Sequence, residues 1–185
     1  MSRVEVAQEA TDILLASEMI RLGARLQVLQ AETRLSYERL ARLYRDIRGH
    51  SAPKGMLPYS LDWYMTWMPN LHSSVFFNVY RYLRLKAGAS RTEALVEAYK
   101  LYLEQVQADL LPVSHASSHT LLSFTRAWMM LRFFDSGQLQ GSRCVRCHGL
   151  FVAHAHDPDA DYVCGLCKPP PRAGKSGRKA RAVPA

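Results

Sequence analysis

The chain has 185 residues, of which 48% are hydrophobic and 22% are charged, a balance typical of a folded soluble protein with one or two domains. It contains no run of 18 apolar residues, so we expect no membrane-spanning segment. The N-terminal sequence MSRVEVAQEATDILL has acidic residues among its apolar ones. It lacks the apolar core of a signal peptide, which predicts a cytoplasmic location.

The formal net charge of +8 is concentrated near the C-terminus. Residues 168–185 contain six of the 24 Lys and Arg residues and no acid, which leaves 18 basic and 16 acidic residues in the rest of the chain. Any electropositive surface on the folded part must therefore come from local clusters. The tail, residues 169–185, is rich in Pro, Gly and Ala, which predicts disorder. It either neutralises phosphates or only keeps the chain in solution.

Helical periodicity dominates up to about residue 136 and predicts a mainly α fold, with a helical domain over residues 1–136. The first helical segment is expected over about 4–31, with Gly23 as the point where it breaks. The second, over 36–47, has apolar residues at one-turn spacing and is expected to end at Gly49, a C-cap.

Four further helices are predicted between residues 60 and 136. The first is expected to be short, with Ser60 as its N-cap, and the second to begin at Pro69. The third follows the capping box SRTE at 90–93. The fourth is expected over about 120–135.

Beyond residue 136 the pattern changes to short extended runs, GLFVAHAH and DYVC, which are separated by the turn signal DPDA. These runs predict a β-hairpin within a small module that covers residues 137–168.

All four cysteines of the chain lie in this module, as two C-x-x-C pairs separated by 16 residues. In each pair a tight turn directs two thiolates at one ion, and two pairs complete a tetrahedral zinc site with Zn–S distances of about 2.3 Å. The segment is too short for an apolar core of its own, whereas structural zinc contributes on the order of 10–16 kcal/mol. We therefore predict one structural Zn²⁺ per chain, bound by Cys144, Cys147, Cys164 and Cys167.

Two alternatives use the same residues differently. A pair of redox disulfides is normally found next to a βαβ unit, of which the sequence gives no sign. A histidine could replace one sulfur ligand, the candidates being His148, His154 and His156. A catalytic zinc keeps one coordination position open, whereas four thiolates close the site. The sequence therefore favours a structural site with four cysteines.

The sequence LQVLQAETRLSYERLARLYRDIRG, residues 26–49, predicts a helix-turn-helix-like unit. Ser36 is a natural N-cap for its second helix. Apolar residues are expected to pack together across the turn, namely Leu26, Leu29 and Ala31 against Leu35, Leu40 and Leu43.

Arginines recur at every third position of the second helix, and each step turns back by about 60° relative to the 3.6-residue repeat. Four of them cover about half the circumference, which suits phosphates on both walls of a major groove, while the first residues of the helix face the bases. The predicted DNA contacts are Ser36, Tyr37, Arg39, Arg42, Arg45 and Arg48. The alternative is an ordinary solvent-exposed helix face with Glu38 and Arg42 as an ion pair.

Residues 60–136 are unusually aromatic. Most of the aromatic side chains are expected in the core of the helical domain, and the surplus is expected to form a partner-binding surface. The surplus expected at the partner surface includes Trp128, Met129 and Met130 of the last helix. The other aromatic residues are Trp63, Tyr64, Trp67, Phe76, Phe77, Tyr80 and Tyr82. Neither a Gly-rich phosphate loop nor a nucleophile–base pair is recognisable, so we expect no enzymatic activity.

Several segments, in this order, closely resemble the FlhC family of bacterial flagellar transcriptional regulators. They extend over about residues 5–172, and the combination of PKGMLP with two following C-x-x-C pairs is the most specific feature. The segments are EATDILLASEMIRLGARLQVLQAETRLSYERLARLYR, PKGMLPYSLDWYMTW, AYKLYLEQ, TRAWMMLRFFDSG and CGLCKPPPRA.

The resemblance implies a helical, zinc-binding subunit that joins the protein FlhD in a hetero-hexamer of four FlhD and two FlhC chains. It further implies that this complex binds promoter DNA of flagellar operons and helps RNA polymerase start transcription. The family's four zinc ligands would be Cys144, Cys147, Cys164 and Cys167, and DNA binding would be due largely to this chain.

The residues leave two other functions open. One is a zinc-ribbon adaptor that binds only proteins and makes no direct contact with DNA. The other is a thiol–disulfide oxidoreductase that uses the two C-x-x-C pairs.

Overall fold

The computed structural model describes residues 3–108, 121–157 and 160–171. This part of the chain forms helices followed by one small antiparallel sheet, which confirms the predicted mainly α fold with a β-hairpin. None of the described helices is long and apolar enough to cross a membrane. The elements are α1 (Arg3–Arg21), α2 (Leu26–Glu32), α3 (Tyr37–Arg48), α4 (Asp62–Met65), α5 (Trp67–Leu85), α6 (Arg91–Gln107), α7 (Phe124–Asp135), β1 (Leu139–Arg143) and β2 (Leu150–His154).

The predicted break in the first helical segment occurs at Gly23. This residue has φ +91°, a left-handed conformation that glycine adopts without a steric penalty. Its N–H donates to the carbonyl of Ile20 (3.0 Å), and the N–H of Ala24 donates to that of Met19 (2.9 Å). These two bonds are the Schellman arrangement that ends a helix. The predicted single segment is therefore two helices, α1 and α2.

Both predicted caps of α3 are present. The Ser36 side chain accepts a hydrogen bond from the N–H of Arg39, and Gly49 is left-handed and donates its N–H to the carbonyl of Arg45. The capping box before α6 is also formed, with Ser90 and Glu93 exchanging side-chain to backbone bonds. Local sequence thus sets these helix ends.

Three predicted helix starts are displaced. Ser60 does not cap α4, because the N-cap position belongs to Leu61. Pro69 is the third residue of α5, which begins at Trp67; this position tolerates proline because the first N–H groups of a helix have no intrahelical partner. The last helix, α7, begins at Phe124 with Ser123 as its N-cap, later than predicted.

The helical core contains residues that were predicted to form a partner surface. Trp128 is 6% exposed, Met129 3% and Met130 0%, so all three are buried by their own chain and this prediction is wrong. They pack in one cluster with Tyr64 and Phe76, which are fully buried. The aromatic surplus on the surface is consequently smaller than the sequence suggested.

The hairpin pairs different segments from those predicted. β1 and β2 are antiparallel, with Leu139 opposite His154 and Arg143 opposite Leu150. The run GLFVAHAH contains β2, but no strand is present at residues 161–164, all of which the structure describes. The prediction of a strand at DYVC is therefore wrong, and the partner of β2 precedes the first cysteine pair.

A polar stripe on α5 covers the free edge of β2. Asn70 Nδ2 donates to the carbonyl of Val152 (2.7 Å), and the Ser74 hydroxyl accepts from the N–H of Val152 (3.0 Å). One turn further on, Asn78 Nδ2 donates to the carbonyl of Leu150 (2.8 Å). Because unpaired strand edges need a covering element, these three side chains act in place of a third strand. They fix the hairpin to the helical body.

One carboxylate joins the helix-turn-helix-like unit to the rest of the body. Glu32, at the end of α2, accepts a hydrogen bond from Trp128 Nε1 of α7 (2.7 Å) and another from the hydroxyl of Thr92 of α6 (2.6 Å). Two acceptor oxygens on one side chain thereby connect three helices.

Removing this carboxylate should destabilise the protein. Glu32→Ala leaves the buried indole N–H of Trp128 without its partner, and we expect a loss of about 1–3 kcal/mol in the free energy of unfolding. The measurement is urea unfolding followed by tryptophan fluorescence. The exposed Glu104 of α6 provides the matched control, Glu104→Ala, which should change the midpoint little. Equal midpoints for the two variants would contradict the assignment.

Candidate metal centre and basic helix

The four cysteine sulfurs converge on one point. The Sγ atoms of Cys144, Cys147, Cys164 and Cys167 all lie within 4.8 Å of one another. Cys144 and Cys164 are buried, whereas Cys147 is exposed and Cys167 is partly exposed. The four thiols are therefore grouped as a set that could hold a metal ion.

The first C-x-x-C turn extends directly from the hairpin. The N–H of Cys144 donates to the carbonyl of Gly149 (3.0 Å), and the N–H of His148 donates to that of Cys144 (2.9 Å). His148 has φ +60°, a left-handed conformation in which histidine is enriched among non-glycine residues. The turn is thus closed by a hydrogen bond immediately beyond the last paired residues of β1 and β2, Arg143 and Leu150.

The second turn is fixed by a side chain from α5. Trp67 Nε1 donates to the carbonyl of Gly165 (3.0 Å), and the indole packs so closely that a Cβ at Gly165 would lie 2.8 Å from Trp67 Cδ1. The N–H of Lys168 donates to the carbonyl of Cys164 (3.0 Å). The turn that contains Cys164 and Cys167 is thus attached to the start of α5 by a hydrogen bond and a close packing contact.

Backbone amides stabilise one thiolate of the group. The N–H groups of Arg146 and Cys164 each lie 3.4 Å from the sulfur of Cys144. Desolvation by itself would raise the pKa of Cys144. Hydrogen bonds from these two amides and from the amide of Cys147 outweigh this effect and lower the pKa to about 6. Desolvation raises the pKa of Cys164, and desolvation with hydrogen bonds among the sulfurs raises that of Cys167 to about 12. The pKa values of Cys164 and Cys167 are thus shifted in the opposite direction to that of Cys144.

The geometry matches a tetrahedral thiolate site. The sulfurs of Cys147 and Cys164 are 3.6 Å apart, close to the roughly 3.8 Å edge of a tetrahedron with Zn–S bonds of about 2.3 Å. A disulfide needs an S–S distance of about 2.05 Å and joins sulfurs only in pairs. Four mutually adjacent thiols hence fit one ion better than two disulfides.

None of the described histidines joins the sulfur group. His148 is exposed and serves the turn through its backbone. His154 ends β2, and its ring lies 5.2 Å from that of His156 in the following turn. The Asp157 carboxylate accepts the N–H of His154 (3.2 Å), so these residues form a turn of their own.

Two arginines lie against the carbonyls of the cysteine turns. Arg143 Nη1 donates to the carbonyl of His148 (3.2 Å), and Arg146 Nη1 donates to that of Cys167 (3.3 Å). Their positive charges would offset the excess negative charge of four thiolates if the group held a divalent ion.

The predicted helix-turn-helix-like unit consists of α2, the turn at 33–36 and α3. Leu29 and Leu40 are fully buried, as expected, but Ala31 is exposed and Val28 takes the buried position instead. The carboxylate of Asp12 on α1 accepts the N–H of Arg34 in the turn (3.2 Å). The unit therefore packs as three helices, with α1 as an additional support.

The arginine stripe of α3 is exposed along its whole length. Arg39, Arg42, Arg45 and Arg48 all face solvent. Arg39 forms an ion pair with Glu9 of α1, which sequence spacing could not reveal because the partners are 30 residues apart. Among the described residues no ion pair joins Glu38 to Arg42. Three arginines of the stripe thus lack an internal carboxylate partner in this part of the chain.

Ser36 and Tyr37, the other two predicted DNA contacts, differ in what their side chains do in the structure. Ser36 is committed to capping α3, so its hydroxyl has a structural role already. Tyr37 is 58% exposed at the first position of the helix, and its side chain is accessible from solvent.

Comparison with known proteins identifies the chain. Residues 1–181 match the model of the family described as "Flagellar transcriptional activator (FlhC)". The chain belongs to the FlhC family. This confirms the resemblance seen in the sequence, and relatives that share the FlhC description cover the full length of this chain.

Three relatives are described as "Flagellar transcriptional regulator FlhC". The protein from Paraburkholderia atlantica is 53% identical over 184 residues, which cover 100% of this chain and 82% of the relative. That from Thauera aminoaromatica is 51% identical, covering 97% and 88% respectively. That from Proteus mirabilis is 52% identical, covering 100% and 92%. The chain is thus a flagellar transcriptional regulator of the FlhC type.

The sulfur cluster predicts how metal binding responds to substitution. The reduced, purified chain should contain one metal ion, and Cys164→Ser should lose it because a buried ligand is removed. His148→Asn is the matched control: asparagine also adopts the left-handed conformation, so this variant should keep the metal. Elemental analysis of both variants gives the answer. Loss of metal from His148→Asn together with retention in Cys164→Ser would refute the ligand set.

Proposed function

We propose that the chain is the DNA-binding subunit of a transcriptional activator complex, and that it acts with FlhD at promoters of flagellar operons in the cytoplasm. In this complex it stimulates transcription by RNA polymerase. Membership in a family of flagellar transcriptional regulators supports the proposal. The stoichiometry, four FlhD and two FlhC chains, belongs to the same proposal.

The exposed arginine stripe on α3 is the observation that supports DNA binding most directly. A helix with cations over about half its circumference, preceded by a short turn and a second helix, matches the way in which helix-turn-helix proteins enter the major groove. We propose that Arg42, Arg45 and Arg48 contact phosphates, with Tyr37 and the capped start at Ser36 close to the base edges.

Arg39 has a different role in this proposal. Its side chain is half exposed and its guanidinium is paired with Glu9, so a phosphate would have to replace that carboxylate. Exchange of one anion for another yields little net attraction. We therefore expect Arg39 to contribute less to DNA affinity than the other three arginines.

We propose that the metal is Zn²⁺, that it is bound by the four cysteines, and that its role is structural. Four thiolates leave no coordination position for water or substrate. The ion would stabilise the module at 137–168, which adjoins the helical domain at 1–136. Of the tail at 169–185, residues 172–185 lie outside the described part, and a contact between this tail and phosphates stays a prediction.

The surface that binds FlhD is proposed to include the end of α5. Tyr82 is 63% exposed and Leu85 is 66% exposed, and they lie three residues apart on one helix. Large apolar side chains at adjacent positions are typical anchors of protein interfaces. They fall within the segment 60–136 in which partner-binding helices were predicted.

An adaptor without DNA contact is the second candidate function. Val145 is 47% exposed and Leu166 is 60% exposed, each between the two cysteines of a C-x-x-C turn. Two apolar side chains at the tips of the metal module suit contact with a protein. Footprinting of a flagellar promoter by the complex with FlhD separates the functions, because an adaptor leaves the DNA unprotected. We infer that the chain is not an enzyme.

Neutralising one arginine should change the salt dependence of DNA binding. For the complex with FlhD, Arg42→Ala should reduce the slope of log K against log salt concentration by about 1.8, because each of the two copies of this chain loses one phosphate contact worth about 0.9. Lys86→Ala, which removes an exposed cation after the end of α5, is the matched control and should leave the slope unchanged. A full set of arginine variants with unaltered slopes would exclude DNA binding by α3.

The partner surface is tested by a double substitution. Tyr82→Ala with Leu85→Ala should weaken the interaction with FlhD by about tenfold or more, since truncation of one interface anchor typically costs more than 1 kcal/mol. Met56→Ala removes an even more exposed apolar side chain, 84% exposed, and serves as the control. Titration of labelled FlhD measures both affinities. Similar affinities for the two variants would place the interface elsewhere.

A further inference from the structure

A cleft of about 430 Å³ separates the helix-turn-helix-like unit from the loop that follows it. Its walls are formed by α2, α3 and residues 51–55. The polar residues of the lining are Gln27, Gln30, Tyr37, Arg45, Ser51 and Lys54. None of the described lining residues is acidic. The two basic ones, Arg45 and Lys54, therefore face a cleft that has no carboxylate on its surface.

The loop beside the cleft is held in place by α2. Gln27 Nε2 donates to the carbonyl of Gly55 (3.2 Å), and Arg25 Nη1 donates to that of Met56 (2.5 Å). Gly55 has φ +114°, a conformation that side chains with a Cβ rarely adopt. Lys54 therefore stands on a loop whose position relative to α2 is fixed by hydrogen bonds on its C-terminal side.

The opposite flank of α3 has a different charge balance. Arg39 and Arg42 line two clefts there together with Arg34, and the same surfaces include four carboxylates. These acids are Glu9, Asp12, Glu38 and Asp46. Charges within a Debye length, about 10 Å at 0.1 M salt, act together on a phosphate. The two flanks of α3 therefore differ in charge. The flank with Arg34, Arg39 and Arg42 also has four carboxylates, whereas the cleft with Arg45 and Lys54 has no carboxylate among its lining residues.

We propose that the sugar–phosphate backbone of promoter DNA lies along the acid-free cleft, and that Lys54 contacts a phosphate opposite Arg45. This inference rests on the proposed function and adds to it a residue outside the helix-turn-helix-like unit. The loop acts in the manner of a wing beside the recognition helix. Lys54 supplies an ammonium to one DNA strand while α3 occupies the adjacent groove. As a phosphate contact it contributes affinity on every sequence and no base preference.

We expect the cations around α3 to contribute unequally to DNA affinity. Removal of Lys54 or Arg45 should weaken DNA binding more than removal of Arg39, whose partner Glu9 already neutralises it. The ranking cannot come from the spacing of the arginines, since Lys54 lies on a loop and Glu9 on α1. It depends on which side chains the fold places on each flank.

The experiment uses the complete chain in complex with FlhD and a duplex of a flagellar promoter. Lys54→Ala should lower the slope of log K against log salt by about 1.8, because the proposed complex contains two copies of this chain and each lost phosphate contact accounts for about 0.9. Lys54→Arg should restore the slope, because any cation at this position neutralises a phosphate. Lys86→Ala is the control and should have no effect. Hydroxyl-radical footprinting should show that Lys54→Ala loses protection at two positions, one beside each copy of this chain, while the rest of the site stays protected. Lys54 is exposed, so the variant should fold normally, as circular dichroism can verify.

The outcomes separate the two proposals. If Arg42→Ala or Arg45→Ala lowers the slope and Lys54→Ala leaves it unchanged, the wing contact is refuted while DNA binding by α3 stands. If none of these variants alters the slope, DNA binding by α3 is refuted as well. If Lys54→Arg behaves like Lys54→Ala, the effect is not one of charge and the phosphate contact is likewise overturned.

Discussion

The edge of β2 against α5 is the constraint on which the metal module depends. A two-stranded hairpin is marginal in water by itself, and its outer strand would present unpaired amides and carbonyls. The side chains of Asn70, Ser74 and Asn78, on one face of α5, form hydrogen bonds with these backbone groups of β2. The same helix begins with Trp67, which donates to the second cysteine turn. One helix therefore positions both halves of the sulfur cluster, and the metal would add to an arrangement that the helical body already defines.

The position of each charged side chain says more about what this protein can bind than the net charge does. The formal net charge would favour nucleic acid anywhere on the surface, yet Arg143 and Arg146 are bonded to carbonyls of the cysteine turns and Arg39 is paired with Glu9. The other basic side chains near α3 lie either on a flank that also has several carboxylates or in a cleft that has none. Electrostatic attraction to a polyanion acts over short distances in salt, so such local differences matter more than the total.

Glu32 shows how the two proposed functions of the chain, DNA binding and FlhD binding, would be coupled through packing. It ends α2 of the helix-turn-helix-like unit and accepts hydrogen bonds from α6 and α7, in the segment proposed to bind FlhD. The orientation of α3 relative to the partner surface thus depends on a polar contact as well as on apolar burial. Buried polar groups with good partners fix one arrangement more strictly than apolar contacts, which tolerate sliding.

The sequence by itself determined the features that depend on neighbouring residues. The caps at Ser36, Gly49 and Ser90, the break at Gly23 and the thiol pairs all follow from local spacing. Tertiary structure decided what depends on distant partners: the strand that pairs with β2, the burial of Trp128, Met129 and Met130, and the engagement of Arg39 by Glu9. Aromatic composition cannot distinguish core from surface, since both environments favour the same residues. Local rules fix helix ends because the groups involved are a few residues apart, whereas strand pairing and ion pairing join groups that only the complete fold brings together.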